Sequence, residues 1–269
     1  MTQDENLEDG VSQGEDEKLS INPEALSCVE GTSLFYPCSG DDVAVPVRIF
    51  SPFVTDFWFV DKGYFVPGNQ DTRHSGLDKS ADKQPPVLKD NHDYQLIGKN
   101  IDGPPAADVG RRREAGSGRE YTDIKPCILT ESYRHIPSGR TVNIHRRRGF
   151  GFSTLRGNLI ASSLGVFFYR GDSPGEGGSG DLWLIREHLD EVCNKLVNGG
   201  LIVTDGSNHG RSDHTEHEEL WNHRNASGSV EEIMKSAQQF TDRGGRSFTC
   251  VGYAGKRYGH TLIWQVKKG

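Results

Sequence analysis

Four short apolar runs stand out from an otherwise polar chain, at 33–36, Asp56–Asp61, Leu164–Tyr169 and 201–204. Each is four to six residues long and apolar almost without alternation, the pattern of a strand buried on both faces. The third run leads through the glycine-rich stretch 170–180 into a segment with helical periodicity. There Leu182, Ile185, Leu189, Val192 and Leu196 recur at three- and four-residue intervals, one apolar stripe of an amphipathic helix. Asp181 suits its start and Gly199 its end, so the spacing predicts a helix over 181–197. Strand, helix and strand of these lengths predict a βαβ unit, hence two parallel strands in a sheet covered on both faces.

The remaining pattern predicts further alternation. A helix is expected at 41–50, although Pro46 falls inside it, and another near 153–162. A short strand is expected around Gln95-Leu96-Ile97. The runs 127–130 and 141–145 flank Pro137-Ser138-Gly139, which reads as a hairpin. Val230, Ile233, Met234, Ala237 and Phe240 predict a helix over 230–240. The runs 247–253 and 260–266, joined by a short Gly- and Lys-containing link, predict a final antiparallel pair.

Composition changes this picture in two places. Of the formal charge of −7, residues 1–18 carry six units, seven acids against Lys18, leaving the other 251 residues with one. Residues 1–25 are therefore expected to be a disordered acidic tail and 26–269 a single domain. Polar, Pro- and Gly-bearing sequence predicts a loop-rich insertion at about 67–125. The nearly neutral remainder gives no reason to expect nucleic acid. No apolar run approaches the roughly 18–20 residues a membrane helix needs. The acidic beginning lacks the marks of a signal peptide, so a cytoplasmic protein is expected. The five cysteines are scattered, with neither disulfide nor zinc spacing.

Ligands of parallel sheets sit beyond the carboxyl ends of the strands, and the candidate chemistry lies there. Asp61 ends the second strand, where a carboxylate either accepts two ribose hydroxyls or caps a turn. Asp41 and Asp42 follow the first strand as ligand contacts or helix caps. Tyr169, Arg170, Asp205 and Asn208 follow the third and fourth strands as substrate contacts. Asp172 and Glu176, in the glycine-rich loop, are the candidates for a general base, a metal ligand or a hydroxyl acceptor. Asp172, Asp205 and Asn208 also offer hard oxygen donors for magnesium, though their spacing favours no metal. His209, His214, His217 and His223 read as a solvated loop. Arg111-Arg112-Arg113 reads as part of a loop, and His145-Arg146-Arg147-Arg148 ends a strand, as a solvated face or a phosphate contact.

The order of these elements resembles the class I S-adenosylmethionine-dependent methyltransferases. The resemblance rests on the first strand and turn, 33–41, on Asp61, on Gly199-Gly200-Leu201-Ile202-Val203 and on the closing hairpin 247–266. It implies an α/β fold, a Rossmann-like three-layer sandwich whose mostly parallel sheet ends in a C-terminal antiparallel hairpin. It implies S-adenosylmethionine as cofactor, held by Tyr36, Pro37, Ser39, Gly40, Asp41 and Asp61. The turn departs from the family in keeping only Gly40 where two or three spaced glycines are usual. Two functions are therefore carried forward: methyl transfer to a small-molecule substrate, with Asp172 or Glu176 as base, and a catalytically silent binding or assembly module. Nicotinamide-dependent redox chemistry is a weaker third option, because the spaced glycines are lacking.

Overall fold

The computed structural model describes residues 19–65, 80–106, 111–113, 120–122, 125–157, 163–171, 182–207, 217–237, 239–257 and 259–269. In chain order the elements are β1 (Leu19–Ile21), α1 (Pro23–Ser27), β2 (Ser33–Pro37), α2 (Ala44–Phe50), β3 (Asp56–Asp61), β4 (Tyr94–Asp102), β5 (Arg111–Arg113) and β6 (Glu120–Thr122). There follow β7 (Cys127–His135), β8 (Thr141–Arg148), α3 (Gly151–Arg156), β9 (Leu164–Tyr169), α4 (Arg186–Lys195), β10 (Leu196–Thr204), α5 (Val230–Ser236), β11 (Phe240–Thr241), β12 (Ser247–Lys256) and β13 (His260–Lys267).

One sheet of eleven strands dominates, in the order β1-β12-β13-β10-β9-β2-β3-β8-β7-β4, with β11 pairing β12 off this path. The four apolar runs are its centre. β10, β9, β2 and β3 lie side by side and parallel, with Val203 beside Phe168, Leu34 beside Val166 and Phe35 beside Trp58. Their apolar continuity follows from cover on both sides. Leu34, Tyr36, Phe57, Phe59, Val166, Phe168, Leu201 and Val203 pack with Leu26 of α1 and Val47 and Phe50 of α2. On the opposite face Phe35, Phe167, Tyr169, Ile202 and Trp264 meet Leu155 of α3, Trp183 just before α4, Leu189 and Val192 of α4, and Ile233 of α5. Side chains of this size contribute about 1.5–3 kcal/mol each by leaving water. Gly165 interrupts the apolar run for a steric reason: a Cβ there would stand 1.9 Å from Thr32 Oγ1.

The structure corrects the expected fold class. The sheet is mixed, and among the described residues its six antiparallel pairings outnumber the four parallel ones. Helices are few and short, five to ten residues each. A mostly parallel Rossmann-like sandwich, and with it the methyltransferase-like resemblance, is overturned by this strand-rich arrangement. Two physical reasons account for the difference. Between β3 and its parallel neighbour β8 the chain makes no described α-helix; it runs through β4 and β7, which extend the sheet antiparallel on β8. And helix α4 is shorter than its apolar stripe, because Leu196 closes the stripe by opening β10.

Other boundaries shift for local causes. Helix α2 starts at Ala44, after residues 41–43 complete the turn, and so places Pro46 in its first turn, where a missing N–H leaves no intrahelical bond unmade. Helix α5 starts at a capping box made by Ser229 and Glu232 and ends at Ser236, with Phe240 in β11. Helix α3 spans Gly151–Arg156. Among the described residues no helix is long and apolar enough to cross a membrane.

Candidate functional site

The carboxyl ends of β10, β9, β2, β3 and β8 form one edge, and the turns leaving them interlock. After β2, Cys38 and Gly40 both take positive φ, 55° and 53°, which folds the turn across the end of β3. There the Gly40 N–H donates to Asp61 Oδ2 at 3.1 Å and the Gly63 N–H donates to Asp61 Oδ1 at 2.7 Å. The Asp61 carboxylate is thus oriented by two backbone donors. The Tyr64 hydroxyl donates to the Gly40 carbonyl at 2.8 Å and lies 2.8 Å from Ser39 Oγ, which fixes the other side of the turn. Burial, and secondarily the Asp61 charge, pushes the Tyr64 hydroxyl far above the usual phenol range, so it stays a donor.

From β8 the Gly149 N–H donates to the Asp61 carbonyl at 3.2 Å, bringing the start of α3 alongside. Between these turns lies a small depression of about 20 Å³ lined by Cys38, Val60, Asp61, Lys62, Gly149, Phe150 and Gly151. Gly151 forms part of it because a Cβ there would sit 2.7 Å from the Trp183 ring and 2.8 Å from Pro37. Phe150 keeps 54% of its surface exposed beside it.

One strand further along, between β2 and β9, the edge is closed. The Arg170 guanidinium forks onto Asp42, Nε to Oδ2 at 2.7 Å and Nη2 to Oδ1 at 3.1 Å, with both side chains almost wholly buried. The Tyr36 hydroxyl lies 3.0 Å from Asp42 Oδ2 and 2.8 Å from the Arg170 carbonyl, two acceptors for one proton. Burial first, and then the Asp42 carboxylate, raises the pKa of Tyr36 well above that of a free phenol. Arg257, from the β12–β13 connection, reaches over this pair, 3.4 Å from Asp42 and 3.3 Å from Asp41. Beyond it, Asp205 accepts from the Gly171 N–H at 3.1 Å and the Ser207 N–H at 2.9 Å, and is fully buried.

The sequence candidates therefore divide. Gly40 and Asp61 are bonded to each other, with Ser39 and Pro37 beside them. Tyr36 lies one step inward, in the Asp42–Arg170 network, and Asp41 faces outward against Arg257. Tyr169 is wholly buried in the second core face, and Arg170 and Asp205 each hold part of the edge together. Asp172, Glu176 and Asn208 lie outside the described residues. Of the histidines, His217 stacks on Phe240 and His223 is buried against the Thr204 carbonyl; His209 and His214 lie outside the described residues. Among the described residues no cluster of three or more His, Cys, Asp or Glu could hold a metal ion.

Tyr64, Arg257 and the segment 149–151 escaped sequence reasoning. For the last, glycines on both sides of an aromatic at a strand end were the available signal. Comparison with protein-family models, with curated proteins and with solved structures finds no match to this chain.

Proposed function

We propose that this chain is a small-molecule-binding module whose ligand sits against the depression beside Asp61, and that the ligand is of the adenosine type. The observation that carries this reading is the state of Asp61. Its two oxygens are aimed by the Gly40 and Gly63 N–H groups at the head of a depression also lined by the exposed Phe150 ring. A carboxylate held in place by backbone N–H groups is a fixed acceptor for the hydroxyls of a sugar. The Phe150 face offers apolar cover to a purine base.

The depression is a surface recess, and a ligand would lie against it rather than inside it. The recess itself holds about 20 Å³, far below the roughly 300–1,000 Å³ of ordinary ligand sites. The neighbouring gap between β2 and β9, into which a methionine tail would extend, is filled by Asp42, Arg170 and Tyr36. That plug favours binding without methyl transfer, and no transfer step is derived for these residues. The enzyme reading keeps Asp172 or Glu176 as its base; methylated product from a supplied acceptor would establish it.

Isothermal titration with adenosine, S-adenosylhomocysteine and S-adenosylmethionine tests the proposal. Heat is expected with the intact chain, and Asp61→Ala should weaken binding at least about tenfold, since bonds to a charged acceptor contribute about 1.5–3 kcal/mol. No heat at millimolar ligand, or equal affinity in Asp61→Ala, refutes it.

A further inference from the structure

Three consecutive arginines end β8, and the structure accounts for two of them. Arg146 is buried and ion-paired to Glu131 at 3.1 Å, with further bonds to Gln84 and the Pro85 carbonyl. Arg148 is buried and donates to three carbonyls, those of Lys125, Phe65 and Pro104, at 2.8–3.0 Å. Both serve to fasten the chain on either side of the sheet edge. Arg147 points to the other face and is different. It is half-buried and no carboxylate among the described residues pairs with it; its Nε, like that of Arg146, is enclosed without a hydrogen-bond partner. Burial by itself lowers its pKa; no neighbouring charge offsets that.

Leaving a guanidinium partly dehydrated with no counter-charge is unfavourable, and buried charges are as a rule paired. The position of Arg147 says where its counter-charge would come from. It is the register partner of Val60, and a Cβ on Gly149 would lie 3.5 Å from its Nε. Val60 and Gly149 both line the Asp61 depression, as does Lys62. Arg147, unpaired among the described residues, thus stands next to two residues that line the depression, and the exposed Lys62 lines it directly.

We propose that Arg147, with Lys62, forms an oxyanion subsite on the rim of the depression, so that the ligand carries a phosphate or a carboxylate in addition to its hydroxyls. The planar fork of Arg147 suits either group through two parallel N–H bonds. This inference rests on the reading of the depression as a ligand site and specifies the class of ligand it takes.

The test compares adenosine, adenosine 5′-monophosphate, S-adenosylhomocysteine and inorganic phosphate on the intact chain, Arg147→Gln and Arg147→Lys, with folding checked by circular dichroism. Adenosine 5′-monophosphate should bind about tenfold tighter than adenosine, and Arg147→Gln should remove that margin without changing adenosine affinity. Arg147→Lys, which keeps the charge and loses the fork, should retain part of it. If S-adenosylhomocysteine depends on Arg147 and the monophosphate does not, the oxyanion is a carboxylate. Arg147→Gln weakening adenosine and the monophosphate equally would make Arg147 structural and overturn the proposal. Failure of adenosine to bind refutes the nucleoside reading alone, provided inorganic phosphate still raises the thermal midpoint of the intact chain and not of Arg147→Gln. No Arg147-dependent response to any of these anions refutes the subsite.

Discussion

Replacing Asp42 by leucine tests whether the closed gap between β2 and β9 is held by charge. The substitution removes the acceptor of both Arg170–Asp42 bonds, at 2.7 and 3.1 Å, from a guanidinium whose side chain is 1% exposed. Breaking one side of such a pair costs about 3–5 kcal/mol. For a chain of this size that corresponds to a fall of roughly 10 °C in thermal midpoint. Arg170→Met should cost less, about 2–3 kcal/mol, because Asp42 keeps the Tyr36 hydroxyl at 3.0 Å and Arg257 at 3.4 Å. The double variant removes both charges together and should lose less than Asp42→Leu alone. Urea denaturation of the four proteins reads these differences. A loss under about 1 kcal/mol for Asp42→Leu, or a double variant equal to the sum of the singles, would show that the pair is not what closes the gap.

Two further outcomes follow from buried features of the sheet. Gly165→Ala should destabilise by about 1–3 kcal/mol, because its methyl would meet Thr32 Oγ1 at 1.9 Å and Val29 Cβ at 3.0 Å; an unchanged urea midpoint would refute the packing described. His223 is held neutral by burial, with a folded-state pKa below 6.5. The unfolded chain therefore takes up the proton first, and stability is complete above 6.5 and falls as pH drops toward the folded-state value. Urea midpoints at about pH 7.5 and about pH 5 should show this slope and its flattening in His223→Gln. Asp56 acts in a separate, more acidic window. Its pKa is lowered, chiefly by the bond from His145, so its contribution is present above 3.8 and is lost below that.

The legible part of the fold was the part buried on both faces. β2, β3 and β9 could be read within a residue, and the apolar half of β10 at 201–204, because unbroken apolar runs have few other uses in a polar chain; the first five residues of β10, from Leu196, read instead as the end of the helix and its stop. β4 was visible only as Gln95-Leu96-Ile97, although it runs nine residues, because it is a sheet edge with mostly exposed side chains and so carries no burial pattern. That omission hid the antiparallel extension and with it the mixed character of the sheet. In the site, Gly40 and Asp61 were found because each sits at the end of an apolar run. The Asp42–Arg170 pair was not, since its members are 128 positions apart and neither has a local signature. Arg147 differs from Arg146 and Arg148 only in which face of the sheet it occupies, a distinction that depends on register.

The pairing of β1 with β12, Leu19 against Ala254, bears on the order of assembly during synthesis. A ribosome has to deliver some 235 intervening residues before that strand finds its neighbour, and closing so large a loop is entropically slow. Until then β1 has no partner strand among the described residues. The rim at β1 is accordingly one of the late joins of the sheet, made only when β12 and β13, the last of the described strands in chain order, have left the translation machinery.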